Sequence, residues 1–439
     1  FAIAAALFAV AACQDDPASN PVNPVEPVAQ EFRGVDFFDL TLLHNNDGES
    51  DLLPDGDVGG IGRFVSLVEE LRAEGDDCSR TPFDCGTLLV SSGDNFLAGP
   101  NLNASFELPE GTPFYDAVAL DRLDYDAIAI GNHEFDFGPE VLADFIAGFS
   151  SSMAPFLTAN LVVRGEPELA ALESAGRIAK STIVEINGAQ FGIIGATTER
   201  LATISSPRDV EVLQDVAGAV NAEVASLEGQ GIDRIILISH LQSLEEDRAL
   251  VGMLSGVDIV VSGGGDELLQ GYVRRNSPLL PGDERAGGYP AWSRDADRRG
   301  VPIVTTAGGY TYVGRLSVRF LQGRVSSVNY RSSGPVRVFG PDGIMADGDI
   351  VANVETPVAA AVDALATNII ANTQVTLDGT RSLVRTQETN YGNLIADAQL
   401  QVARSRAADF GLSGVDVGLQ NGGGIRNSVI LDAGSDISE

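Results

Sequence analysis

Along this chain the hydrophobic positions form short apolar runs, each of which stops abruptly in a cluster of polar side chains. Leu40-Thr41-Leu42-Leu43 runs into His44-Asn45-Asn46-Asp47-Gly48-Glu49, and Thr87-Leu88-Leu89-Val90 into Ser91-Ser92-Gly93-Asp94-Asn95. Ala127-Ile128-Ala129-Ile130 leads to Gly131-Asn132-His133-Glu134-Phe135-Asp136, Ile235-Ile236-Leu237-Ile238 to Ser239-His240, and Ile259-Val260-Val261 to Ser262-Gly263-Gly264-Gly265-Asp266-Glu267. Short apolar runs rich in β-branched residues predict buried strands. Glycine at their ends lets the backbone turn sharply, so that the next side chains project from the sheet. A single run could end in Gly, Asn or Asp merely to turn. Five of them, with His133 and His240 among their ends, predict one site at the carboxyl ends of the strands, where open α/β sheets place their chemistry.

Phe37 to Leu43 and Thr87 to Val90 read as the first two strands, and Phe156 to Val163 and Phe191 to Ala196 as further extended segments. Helical spacing of apolar residues predicts helices over Gly59 to Leu71, Phe114 to Leu123, Pro139 to Phe149 and Val212 to Leu227, with Phe64, Leu67, Val68 and Leu71 sharing one face of the first. Ala98 to Thr112 reads as a loop. This alternation implies an α/β fold of β-sheets covered by helices. Arg274 to Gly300 reads as a surface insertion near the site mouth, its Trp292 equally suited to anchoring the packing or to carrying a ligand. After the turns at Gly334-Pro335 and Gly340-Pro341-Asp342-Gly343, an Ala-rich helix over Val358 to Ile370 serves as a connector. A second α/β domain follows, with a helix over Tyr391 to Arg404 and a strand over Val415 to Leu419. About seventy residues are few for a complete core, so this domain reads as truncated.

A length of 439 residues fits two domains, and 44% hydrophobic against 21% charged residues fits a globular chain. With 62 acidic and 28 basic residues the net charge is −34, which excludes a nucleic-acid partner on electrostatic grounds and suits a salty, divalent-rich medium. Residues 1–13, apolar and closing in Val10-Ala11-Ala12-Cys13, read as an export signal whose front is missing. The last four resemble a bacterial lipobox, so that Cys13 would be lipidated and attach the chain to a membrane; the alternative is an ordinary signal peptide with an incidental cysteine. Residues 14–31, rich in Pro, Asn, Asp and Val, read as a tether. In an exported chain Cys78 and Cys85 are expected to form a short disulfide, the alternative being two free thiols.

Asp47 and Asp94 are carboxylates, Asn132 offers an amide oxygen and His240 an imidazole, a mixed set suited to a two-metal hydrolytic centre. Asp94, between the other strand ends, is expected to bridge. His133 is placed to protonate a leaving oxygen, with Asp136 fixing its tautomer. The motif order, Asp47, Gly93-Asp94, Gly131-Asn132-His133-Glu134 and His240, followed by Glu388-Thr389-Asn390-Tyr391-Gly392-Asn393-Leu394 and Asn421-Gly422-Gly423-Gly424-Ile425-Arg426, resembles the metallophosphatase superfamily and, within it, the bacterial 5′-nucleotidase family. The resemblance implies a metallophosphatase domain over 32–335, a connector over 336–371 and a substrate domain over 372–439 in which Arg381, Arg385, Asn421 and Arg426 contact phosphate or sugar. It implies a secreted phosphohydrolase, periplasmic or anchored to the cell envelope, that acts on a nucleoside 5′-monophosphate or related ester by metal-bridged hydroxide attack, with His133 as general acid. A phosphodiesterase or nucleotide-sugar hydrolase, or a catalytically inactive ligand-binding lipoprotein, remains open at this point. The family usually reads Asp-x-His at the first motif and Gly-His-x-His or Gly-His-x-Gln at the last. Here Glu49 replaces one histidine, Gly264 removes another, and Asp266 stands at the final ligand position. One site is therefore expected to hold Asp47, Glu49, Asp94 and Asp266, the other Asp94, Asn132, His240 and Glu267 or water. Such oxygen-rich sites favour Mn²⁺, Mg²⁺ or Ca²⁺ over Zn²⁺. His44 reads as a packed strand histidine or a distant support of the site.

Overall fold

A computed structural model of the chain describes residues 36–271, 278–425 and 429–438. The expected signal and tether over 1–31 and the site residue Arg426 lie outside the described residues. The first apolar runs form β1 (Phe37–Asn45), β2 (Asp84–Ser91), β3 (Ala127–Ala129), β4 (Phe156–Leu157) and β5 (Ile178–Ala179), neighbours in one parallel array. A second, six-stranded sheet holds β6 (Ser181–Ile186), β7 (Ala189–Thr197), β8 (Ile235–His240), β9 (Ile259–Gly263), β10 (Ala291–Arg294) and β11 (Gly300–Val304), in the order β10-β11-β9-β8-β7-β6. The chain then returns to the first sheet with β12 (Tyr312–Leu321), β13 (Arg324–Val328) and β14 (Gly334–Arg337), β12 pairing antiparallel to β1.

The two-residue alternation of β1 explains the layering. Phe38, Leu40 and Leu42 pack with Leu88 and Val90 against Phe191, Ile193, Ile235 and Leu237 of the second sheet, and Leu43 and Leu89 point the other way into the helices. Aromatic rings join the sheets, with Phe38 and Phe320 each edge-on to Phe191 at 5.3 and 5.6 Å between centroids. On the outer face lie α1 (Ile61–Asp76), α2 (Pro100–Phe106), α3 (Tyr115–Asp121) and α4 (Pro139–Ala147). Phe64, Leu67, Val68 and Leu71 of α1 are buried as their spacing predicts. The second sheet carries α5 (Val216–Gly229) and α6 (Leu244–Val251). These are the layered sheets covered by helices expected from the sequence.

Several local expectations change. The stretch Ala98 to Thr112 contains α2, which starts with Pro100 in its first turn and buries Leu102, Ala104 and Ser105; packing against the connector outweighs the weak helix propensity of Asn101 and Asn103. Phe156 to Val163 is not one extended segment but β4 and a separate short strand, Leu161–Val162. The helix expected from Val212 starts at Val216, where Asp215 accepts a hydrogen bond from the Gly218 N–H and caps it. The connector helix starts earlier than expected: Gly348–Thr367 is helical throughout, through a π-turn at Val351–Glu355 into α7 (Thr356–Thr367). That span is long and apolar enough to cross a membrane, yet Ile350, Val354 and Val358 are buried in the same core as α1. Val415 to Leu419 forms no strand: Val417 and Leu419 are 68% and 86% exposed, and no neighbouring strand takes up their backbone groups among the described residues.

Cys78 and Cys85 are joined in a disulfide at the amino-terminal end of β2, remote from the strand ends that carry the polar clusters. His44 is fully buried, its Nε2 2.8 Å from the Tyr289 hydroxyl, and burial lowers its pKa to about 3. It is a packed strand histidine. Trp292 stands on edge strand β10, covers Gly300 and lines a cleft with Arg248, Pro290 and Tyr330. Beyond the connector, α8 (Arg381–Thr386) and α9 (Asn390–Arg406) stand with two short antiparallel strand pairs; the Thr389 side chain caps α9.

Candidate metal centre

The loops that leave β1 and β2 stay paired after the strands end. Asp47 N donates to Gly93 O at 3.0 Å, Glu49 N to Asp94 O at 2.9 Å and Ser50 N to Asn95 O at 3.2 Å. The second sheet joins the same place: the Gly264 N–H lies 3.0 Å from both carboxylate oxygens of Asp47, and His240 Nδ1 lies 2.8 Å from Ser92 O. Asp47, Glu49, Asp94 and Asp266 all hold φ between 50° and 55°, a left-handed backbone that L residues seldom adopt. Such backbone costs of order 1 kcal/mol per residue and persists where surrounding bonds over-determine it. Gly131 is required by close approach, because a Cβ there would stand 2.2 Å from Asp94 Oδ1.

These bonds bring Asp47, Asp94 and His240 together. All three are buried, with one ligand atom from each within 4.8 Å of the others. Ser92 O can only accept, so Nδ1 of His240 carries a proton; burial opposes charge on the ring, but Asp94, Asp47 and Glu134 raise its pKa to about 10, and a cation bound at Nε2 would take the place of the second proton. That Nε2 is 2.9 Å from Asp94 Oδ2 yet lacks the alignment of a hydrogen bond and is otherwise without a partner. An orphaned imidazole nitrogen and a carboxylate oxygen converging on one point are the arrangement of two ligands of a cation, so the donor set fits a divalent metal. The local charges agree with that fit. Burial, aided by Asp94 and Asp266, lifts the Asp47 pKa to about 7 against the pull of His240. For Asp94 burial acts upward, but His240 and His133 outweigh it and hold its carboxyl below the ordinary value.

His133 stands beside this group. Its backbone N–H donates to Asp94 Oδ1 at 2.8 Å, its Nδ1 is 2.6 Å from Asp136 Oδ2, and its Nε2 is 3.8 Å from Asp94 Oδ2 and 3.9 Å from Glu49 Oε1. Asp136 is itself held by the Ser205 hydroxyl at 2.8 Å. Burial opposes charge on the ring, but Asp136, Asp94 and Glu49 together raise its pKa to about 9. An imidazole clamped at Nδ1 and protonated at neutral pH can deliver a proton from Nε2.

The other expected site residues are spread around this group. Asn132 is at the centre, its Oδ1 in contact with Gln242 Nε2. Glu49 and Asp266 stand outside the tight group: Glu49 faces His133, and Asp266 accepts from the Gly308 N–H while feeling the charges of Asp94 and Arg381. Glu267 accepts the Leu244 N–H at 3.0 Å through Oε1 at the start of α6, while its Oε2 is buried without a hydrogen-bond partner. Arg381 and Arg385 line an open surface depression with Thr380, Ser382 and Thr386, and Asn421 caps a short turn by accepting from Gly423 N.

Two residues at the site had no role assigned from the sequence. Glu134 is fully buried and accepts from Asp94 N at 3.0 Å, Gly131 N at 2.8 Å, Asn95 N at 2.8 Å and Asn95 Nδ2 at 3.1 Å, so it holds the Asp94 loop on the Gly131 loop. An acidic residue directly after an expected ligand, Asn132, and an expected general acid, His133, was its only signal. The other is Gln242, two residues after His240 and outside every motif.

Comparison with known proteins accords with this geometry. Residues 369–439 match the family described as 5′-nucleotidase, C-terminal domain. The chain is 32% identical over 399 residues to the 5′-nucleotidase of Diplobatis ommata, an alignment that covers 89% of this chain and 63% of that protein. The chain thus spans less than two thirds of that relative's length. The crystal structure of the 5′-nucleotidase precursor from Thermus thermophilus superposes with a TM-score of 0.70 at 30% identity, covering 91% of this chain and 72% of that one. The NAD nucleotidase of Haemophilus influenzae shares the fold, with a TM-score of 0.62 at 20% identity over 83% of this chain and 69% of that one.

Proposed function

The chain belongs to the 5′-nucleotidase family, and from that premise we propose that it is a metal-dependent phosphohydrolase that releases phosphate from nucleoside 5′-monophosphates or related phosphate esters. The observation that carries this reading is the clamped imidazole of His133 facing the buried group of Asp47, Asp94 and His240. Two divalent ions, when bound, would neutralise the ester's charge and make water a nucleophile near neutral pH. Asp47, Asp94, Asn132 and His240 are the residues that would hold them, with Asp94 shared.

The chain's own groups do the rest. Asp136 keeps the Nδ1 proton of His133 in place, and the Nε2 proton passes to the departing alkoxide oxygen as the ester bond to phosphorus breaks. Asp94 and Glu49 on the far side of the ring keep it charged until then. Arg381, Arg385 and Asn421, with Arg426, would receive phosphate or sugar oxygens, a guanidinium fork matching an oxygen pair. The effect of Arg381 on Asp266 supports that role, because it brings a substrate-domain cation within electrostatic reach of the centre. Export to the periplasm or cell envelope is part of the same reading, supported by the Cys78–Cys85 disulfide.

The deciding experiment is phosphate release from adenosine 5′-monophosphate by the purified chain before and after chelation. Release should stop on chelation and return with Mn²⁺, Mg²⁺ or Ca²⁺ more fully than with Zn²⁺, since carboxylate and amide oxygens dominate the donor set. Chelator-insensitive release would overturn the metal role, and no release with any of the four ions would favour a protein that binds ligand without turning it over. Arg381→Ala and Arg385→Ala should each raise KM for the nucleotide by about tenfold or more, the weight of a charge-assisted hydrogen bond, with metal content unchanged. Unchanged KM in both would remove the second domain from substrate recognition.

A further inference from the structure

Position 264, where the family carries a histidine, is glycine, and the structure shows what occupies the space. Gly264 has φ +87°, and a Cβ there would stand 2.9 Å from the Cα and N of Gln242 and 3.0 Å from its Nε2. No side chain fits at 264 while Gln242 stays where it is. Gln242 itself has φ +90°, a backbone angle that glycine adopts freely and glutamine does not. The strained conformation sets its carboxamide against Asn132 Oδ1. Two uncharged amide heads thus meet at the edge of a group of carboxylates and an imidazole.

We infer that Gln242 is a metal ligand, which through Oε1 supplies the contact that a histidine at 264 would otherwise make. This rests on the metal-centre reading above. Rotation by 180° about the terminal bond of Gln242 exchanges Nε2 for Oε1 without moving the rest of the side chain. The oxygen then stands against Asn132 Oδ1, and with Asp94 and His240 Nε2 the two amides would make a set of four donors. Glu267, the other nearby candidate, gives Oε1 to the Leu244 N–H but keeps a buried, unpartnered Oε2, so Glu267→Ala is titrated beside the Gln242 variants, and loss of the site there with both sites intact in Gln242→Ala would assign the ligand to Glu267 instead. An amide at 242 goes with glycine at 264, because the main chain of Gln242 closes the space that a side chain at 264 would need. The exchange replaces a nitrogen donor by an oxygen donor and moves the site away from Zn²⁺.

The test titrates the metal-free chain with Mn²⁺ and with Zn²⁺ by calorimetry, and follows thermal unfolding in chelator. Wild type should bind two Mn²⁺. Gln242→Ala should weaken one of the two sites by about 10- to 100-fold, with unfolding in chelator unchanged. Gln242→Gly should show the same loss with unfolding temperature raised, because the backbone angle is relieved; this variant keeps the test valid if alanine disturbs the fold. Gln242→Glu should retain both sites. Both sites within twofold of wild type in Gln242→Ala and Gln242→Gly would overturn the inference and leave the metal centre standing. A wild-type chain that binds neither ion would overturn the metal centre itself.

Discussion

Replacing His133 by alanine should lower kcat by about two to four orders of magnitude, the span of a lost general acid, while bound metal stays near the wild-type level. The two effects separate because the side chain of His133 stands 3.8 Å from Asp94 and only its backbone N–H bonds the Asp94 carboxylate, a bond that alanine keeps. Asp136→Asn should fall between wild type and His133→Ala, and it should move the alkaline limb of the pH profile. In the folded protein the His133 pKa is raised to about 9, so the acid form is present below that value and lost as pH rises through it. Removing the Asp136 charge withdraws one source of that rise and shifts the loss to lower pH. A steady-state profile of kcat for the three proteins, with metal analysis of each, decides the matter. Turnover within a few-fold of wild type in His133→Ala would remove it from the leaving-group role.

Glu134→Ala should be the most destabilising single change at the centre. It strips the partner from three backbone N–H groups, those of Asp94, Asn95 and Gly131, in a region closed to water. At about 1–3 kcal/mol for each buried donor left unpaired, the loss should be about 3 kcal/mol or more. Metal affinity should fall with it, because the left-handed backbone at Asp94 no longer has the bonds that enforce it. Denaturant unfolding of the metal-free protein, followed by Mn²⁺ titration without denaturant at a temperature well below the thermal midpoint, measures both. A loss below about 1 kcal/mol, the least expected for a single unpaired donor, with normal Mn²⁺ binding would show that the Asp94 loop is held by the strand ends alone.

What could be read from the sequence was set by periodicity and by abrupt changes of polarity. The strands beneath Asp47, Asp94, Asn132 and His240 are continuous apolar runs ended by glycine or a short polar cluster, and that pattern has few other physical meanings. The face of α1 was legible for the same reason. Glu134 was not, because its role lies in accepting main-chain bonds from two loops, and main-chain donors leave no mark in side-chain pattern. Gln242 was hidden more deeply: only the backbone angles at 242 and 264, together with their proximity across two strands, reveal that one fills the space of the other. The helix α2 and the irregular run at Val415 to Leu419 were misread in opposite directions for one cause. A distant neighbour made a helix of the first, and no paired neighbour made a strand of the second.

Phe37 lies opposite Leu321, and the rest of β1 pairs with β12 in the same register down to His44 and Gly314. A chain emerging from its amino terminus therefore makes β1, β2 and β3 long before the strand that closes the other side of β1 exists. Until then the polar ends of β1 and β2 lack the Gly309 N–H that bonds Asp47 O and the Thr306 groups that hold Asn46. Such long-range closure slows folding, since the entropy of the intervening chain must be given up before the pairing returns anything. It also means that a nascent chain carries a half-built, largely apolar strand edge, open to pairing with another chain, until its last large strand has docked.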